Sequence, residues 1–146
     1  MNTSPKILLI DDEPDLLHVV TLLLSTEGIE VAQASNGTEG LEKMSQKNYD
    51  LVVCDFQMPK MNGIQLLTKL REQGDYTSFI FFSGNADEFI QHKMMSLGAY
   101  VLLSKSLVTS LADVIHKTIK TASDLRNIRL DKTQEHKDFL KLLHSN

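Results

Sequence analysis

The 146-residue chain has one cysteine, so no intrachain disulfide can form, and a reducing cytoplasm is the expected setting. Cys54 lies in an apolar run and reads as a small core residue rather than a nucleophile. No stretch approaches the roughly 18 apolar residues of a membrane span, so no membrane insertion is expected. The opening MNTSPK lacks a signal peptide's charged-then-apolar pattern, and the apolar ILLI lasts four residues before DD. Lysine and arginine form no block and the net charge is −4, which argues against direct contact with nucleic acid. Internal repeats and low-complexity linkers are also missing. What is present is an ordinary globular balance, 42% hydrophobic and 23% charged. The length suits one domain with a substantial core.

Short apolar runs alternate with longer helical patterns. Strands are predicted at 6–10, 30–34, 51–55, 79–83 and 100–103, and helices at 14–26, 38–46, 63–71, 87–97 and 108–122. Leu51, Val52, Val53 and Cys54 are apolar on both faces, as in a parallel sheet covered by helices. In the first helix Leu16, Val19, Val20 and Leu23 recur at helical spacing, and Pro14 suits its first turn. Gly28, Gly74 and Gly98 fall where helices should stop. Repeated βα units imply right-handed crossovers and a five-stranded parallel sheet with helices on both faces.

Beyond Ala122 the seam of Leu111, Ile115, Thr118, Ala122 and Leu125 meets Arg129, Lys132 and His136. That interruption predicts a break near Leu130 to Thr133, then a short helix ending in Phe139, Leu140, Leu142 and Leu143. Docking of this apolar end on its own domain is the favoured reading; a homodimer or partner contact is the alternative.

The polar residues gather at the strands' carboxyl ends. The first strand ends in Asp11 and Asp12, the third in Asp55 and the fourth in Ser83, and the fifth leads to Lys105. In a parallel sheet these ends share one edge, so three carboxylates, a hydroxyl and an ammonium should converge in one crevice. Crowded carboxylates repel unless a cation relieves them, and their oxygens suit a hard divalent ion such as Mg²⁺. Mg²⁺ keeps positions open for phosphate oxygens, Ser83 can donate to a phosphoryl oxygen, and Lys105 adds a second positive charge. A carboxylate nucleophile at Asp55 can form an aspartyl phosphate.

The motifs LLIDDE, VCDFQMPKMNG, FFSGNA and LLSKS, in this order and spacing, resemble the receiver domain of two-component response regulators, the chemotaxis-type, flavodoxin-like fold of strand order 2-1-3-4-5. The resemblance covers residues 6 to about 122, giving a receiver domain at 1–122 and a helical extension at 123–146 with no separate output domain. It implies phosphoryl transfer from a histidine kinase or a histidine phosphotransfer protein onto Asp55. It further implies that Asp12, Asp55 and the Gln57 carbonyl hold Mg²⁺, that Asp11 helps through water, and that Ser83 and Lys105 grip the phosphoryl group. Met58, Pro59 and Gly63 would shape the neighbouring loop, proline by fixing φ and glycine by relaxing it.

Plainer roles compete. Asp11 suits a turn, Asp12 an N-cap for the helix at Pro14, and Ser83 a cap for the loop before Asp87. Two positions depart from the family. Ser106 replaces the proline that usually follows the lysine after a cis bond, so the Lys105–Ser106 bond is expected to be trans and the lysine less rigidly presented. Leu102 stands where Tyr or Phe is usual, and Tyr100 lies two residues earlier. Readout would then pass to other groups, Met94 and Met95 among them, although both suit a core. Gln57 and Asn85 occupy positions that influence loss of the phosphoryl group in this family.

The favoured function is a phosphorylatable switch, not an enzyme beyond slow self-dephosphorylation, that alters its surface for an unknown downstream protein. A receiver-like module that no longer uses phosphate, and the receiver part of a longer response regulator, are the alternatives. An aspartate-nucleophile phosphatase is disfavoured, because Gln57 stands where its general acid/base aspartate belongs and cannot usefully transfer a proton.

Overall fold

The computed structural model describes residues 4–84, 87–99 and 101–144, and for 101–103, 106, 107, 125–133, 135, 136 and 144 it describes the backbone. Five strands, β1 (Lys6–Ile10), β2 (Glu30–Ala34), β3 (Leu51–Cys54), β4 (Ser78–Ser83) and β5 (Val101–Ser104), alternate with helices α1 (Pro14–Thr26), α2 (Gly37–Gln46), α3 (Gly63–Glu72), α4 (Glu88–Ser96) and α5 (Leu111–His144). All strand pairs are parallel and the order is β2-β1-β3-β4-β5, the flavodoxin-like order expected.

The alternation of strand side chains divides the core in two. Ile7, Leu9, Leu51, Val53, Ile80 and Phe82 face one way, where α1 (Leu17, Val20, Leu24) and α5 (Leu111, Ala112, Ile115) cover them. Leu8, Ile10, Val52, Cys54, Phe79 and Phe81 face the other, under Leu66, Leu67 and Leu70 of α3 and Met94 of α4. Buried on both faces, these strands read as continuous apolar runs, which is why the sequence betrays them. Gly28, Gly74 and Gly98 end α1, α3 and α4 at φ of 76°, 78° and 84°, a conformation open to glycine at little cost.

Three expectations need correction. The buried seam of α1 is Leu17, Val20 and Leu24, while Val19 and Leu23 are exposed. The run LLHVVTLLL is apolar on almost every helical face, so periodicity alone does not select the inner one. No break occurs near Leu130 to Thr133; α5 runs unbroken for 34 residues. A hydrophobic seam reports what a helix packs against, whereas continuity needs only good helix formers, and this stretch has neither glycine nor proline. Nor does the apolar end dock: Phe139, Leu140, Leu142 and Leu143 are all exposed. A helix of that length spans about 50 Å at 1.5 Å per residue and runs past the short strands it begins against. Of the two candidate readout residues, Met94 is core and Met95 is exposed.

Candidate functional site

Register builds the site. Ile10 of β1 pairs with Cys54 of β3, so Asp11 and Asp55 follow on adjacent strands. The Asp11 N–H donates to the Ala34 carbonyl at 3.1 Å and the Asp55 N–H to the Ile10 carbonyl at 3.0 Å, so both carboxylates stand on fixed backbone. Ser83 ends β4 and pairs with Ser104 of β5, which puts Lys105 beside them at the start of a 3₁₀ turn, Lys105–Ser110.

These side chains meet. Ser83 Oγ donates to Asp55 Oδ1 at 3.2 Å, and the Gln57 N–H reaches the same oxygen at 3.4 Å. Lys105 Nζ lies 3.2 Å from Asp55 Oδ2, 3.1 Å from Asp11 Oδ2 and 3.2 Å from Glu13 Oε1. Asp11, Asp55 and Ser83 are buried, at 1%, 5% and 5% exposure. Burial raises the Asp11 carboxyl above its ordinary value, although hydrogen bonds from the Glu13 N–H and Lys105 favour its charged form. Burial would lower the Lys105 ammonium, but the hydrogen bond and charge of Asp11 and the charge of Asp55 outweigh it, and the net shift is upward. Cys54 is fully buried and its thiol is pushed well up by that burial, which makes it inert.

The plainer roles divide differently from expectation. Asp11 does act in a turn, accepting the Glu13 N–H at 2.9 Å, while also pairing with Lys105. Asp12 does not cap α1; Glu13 is the N-cap residue and its side chain makes no capping bond. The Ser83 hydroxyl is turned to Asp55 Oδ1, and the cap of α4 is Asp87, which accepts the Ile90 N–H. Gly63 is needed for space rather than for φ: a Cβ there would stand 2.6 Å from the Asp55 carbonyl oxygen and 2.6 Å from the Phe81 ring. The turn's one left-handed residue is instead Lys60, at φ 70°. No cis peptide bond occurs among the described residues, so Lys105–Ser106 is trans as expected. Asn85 and Tyr100, and the side chains of Leu102 and Ser106, lie outside the described residues.

Glu13 is the residue that sequence reasoning missed. It joins Asp11, Asp12 and Asp55 in a set whose carboxylate oxygens lie within 4.8 Å of one another. Its signal was the third acid of DDE, which resembles an ordinary acidic helix start. A hard divalent cation fits this set: every donor is a carboxylate oxygen, and three of the four already gather round one positive charge, the Lys105 ammonium. Asp12, Glu13, Asp55, Gln57, Ser83 and Lys105 line an open cleft of about 360 Å³, room enough for an anion.

The response regulator receiver domain model matches residues 7–120, and the chain belongs to that family of signalling phosphoacceptors. It is 28% identical over 130 residues to the transcriptional regulatory protein CpxR homolog of Haemophilus influenzae, covering 86% of this chain and 56% of that one. It is 30% identical over 130 residues to the sensor protein EvgS of Escherichia coli, of which it spans 11%. The chain thus spans about half the length of the first relative and a tenth of the second. A response regulator receiver domain protein from Clostridium thermocellum superposes with a TM-score of 0.76 at 31% identity, over 83% of this chain and 98% of that one. Among the described residues no helix is long and apolar enough to cross a membrane.

Proposed function

We propose that Asp55 accepts a phosphoryl group from a phosphohistidine, on a histidine kinase or a histidine phosphotransfer protein, and that the domain signals by the resulting change of surface. The observation that carries this reading is the shared grip on one carboxylate: Ser83 Oγ holds Asp55 Oδ1 and Lys105 Nζ holds Asp55 Oδ2, each at 3.2 Å. An oxygen of Asp55 attacks phosphorus as the P–N bond to the histidine breaks and the imidazole leaves. The product is an aspartyl phosphate. Donors already within hydrogen-bond distance of the accepting carboxylate then need only small shifts to reach phosphoryl oxygens, which is how positioning and charge stabilisation act in phosphoryl transfer.

Asp11, Asp12 and Asp55, with the Gln57 carbonyl, would hold Mg²⁺, which supplies charge neutralisation between carboxylate and phosphoryl oxygens. The switch would then be a two-state shift of the loop after Ser83 and of the surface around α4 and α5. Self-dephosphorylation, by attack of water on the acyl phosphate, would be slow, because Gln57 offers no general base. Transfer of label from a phosphorylated histidine kinase tests the reading. The expected label on this chain is released by neutral hydroxylamine, as an acyl phosphate must be, and is missing in Asp55→Asn. Label that persists in that variant would overturn the assignment.

A further inference from the structure

We propose that Glu13 is a positioning residue for Lys105: it takes the ammonium when Asp11 and Asp55 give their charge to a divalent cation, and so keeps Lys105 at the mouth of the cleft. This rests on the reading of the acidic set as a cation site.

An ammonium has three N–H donors. Lys105 faces three carboxylates, pairing with Asp11 at 3.1 Å and donating to Glu13 and Asp55 at 3.2 Å each. Two of those partners, Asp11 and Asp55, are buried at the sheet edge and are among the residues proposed above to hold Mg²⁺. A cation drawing on Asp11 and Asp55 repels the ammonium beside it and competes for the same lone pairs. The partner then left to Lys105 is Glu13, whose side chain is 63% exposed and can follow a displaced lysine.

The root of Glu13 is nevertheless fixed. Its N–H donates to Asp11 Oδ1 at 2.9 Å, and its carbonyl accepts the Leu17 N–H at 3.1 Å in the first turn of α1. An N-cap side chain ordinarily turns back onto the helix amides. That of Glu13 makes no such bond and reaches Lys105 instead. The arrangement is a solvent-exposed carboxylate on an anchored backbone, facing the Lys105 ammonium.

The test is calorimetric titration of Mg²⁺ into the full chain, with and without Glu13→Gln, in three backgrounds: parent, Lys105→Met and Lys105→Gln. The second lysine variant keeps a hydrogen-bond donor without charge and serves as an independent background if the first folds poorly. With Lys105 present, Glu13→Gln is expected to weaken Mg²⁺ binding roughly two- to fivefold, the scale of a partly exposed ion pair. Without Lys105 the loss should fall below about 1.5-fold, because there is no ammonium to receive. Equal loss in all backgrounds would overturn the proposal, since Glu13 would then act on the cation directly or through bulk charge. No loss with Lys105 present would overturn it too. A parent that binds no Mg²⁺ defeats the cation reading itself, a failure visible before any variant is compared. No arm depends on phosphoryl transfer.

Discussion

The ammonium of Lys105 lies 3.1 Å from Asp11 Oδ2, joining a lysine at the cleft mouth to the most deeply buried carboxylate of the site. The pair is unequal, for one ammonium faces a cluster of four carboxylates, and the excess negative charge governs how the domain responds to substitution.

Neutralising Asp11 should therefore stabilise the metal-free domain. Asp11→Asn removes a buried charge whose folded-state pKa is raised, and the expected gain at neutral pH is about 1 kcal/mol, an ordinary single-substitution effect of reversed sign. The pH dependence follows from that direction. Above the raised folded value the carboxylate is charged and costs stability in the fold. Below the unfolded value, near 3.8, both states are protonated and the cost vanishes. The advantage of Asp11→Asn should thus be full at neutral pH and shrink as pH falls to that value. Urea melts of both proteins, without metal, would show an advantage growing toward acid if the account were wrong.

Lys105→Met should act in the opposite sense. Its loss leaves the carboxylates uncompensated, and about 2 kcal/mol of destabilisation is expected, less than for a fully buried pair broken at one end. Excess Mg²⁺ should then raise the melting temperature of the variant more than that of the parent, because no ammonium competes with it. Equal metal-induced shifts in the two proteins would show that lysine and metal do not share the carboxylates.

Gly63→Ala should be costly despite its small size. The added methyl would press on the backbone oxygen of Asp55 and the ring of Phe81, and about 1–3 kcal/mol is the usual penalty for such overpacking. A chemical melt within 0.5 kcal/mol of the parent, the range of about ±0.5 kcal/mol for neutral surface changes, would mean the loop yields freely.

The two parts of α5 should respond differently. Ile115→Ala opens a cavity in the core that α5 shares with α1 and the sheet and should cost about 3 kcal/mol, whereas Phe139→Ala lies on the exposed distal part and should stay within about 0.5 kcal/mol for the isolated chain. A large loss from Phe139→Ala, measured at low protein concentration, would show that the distal turns carry folding energy.

The contrast along α5 also shows what a sequence can reveal. Strands buried on both faces are unbroken apolar runs, and the polar residues that end them stand out, so Asp11, Asp55, Ser83 and Lys105 are legible in the amino-acid sequence alone. Glu13 is not, because an acid beside a helix start has an ordinary local use, and only the fold shows that its carboxylate faces Lys105 instead. Gly63 stands out in the sequence for a different reason from the one that operates: crowding against Phe81 is a long-range relation that no local pattern encodes. The unbroken α5 is hidden for a related reason. Arg129, Lys132 and His136 interrupt a packing seam, but nothing in them stops a helix.

The central claim is that Asp55 is the phosphoacceptor, and intact mass measures it most directly. After incubation with a small acyl phosphate and Mg²⁺, the parent should gain the mass of one phosphoryl group, lose that gain when the metal is chelated beforehand, and show none in Asp55→Asn. A parent whose mass is unchanged while Mg²⁺ is bound, or a gain that survives in Asp55→Asn, would contradict it.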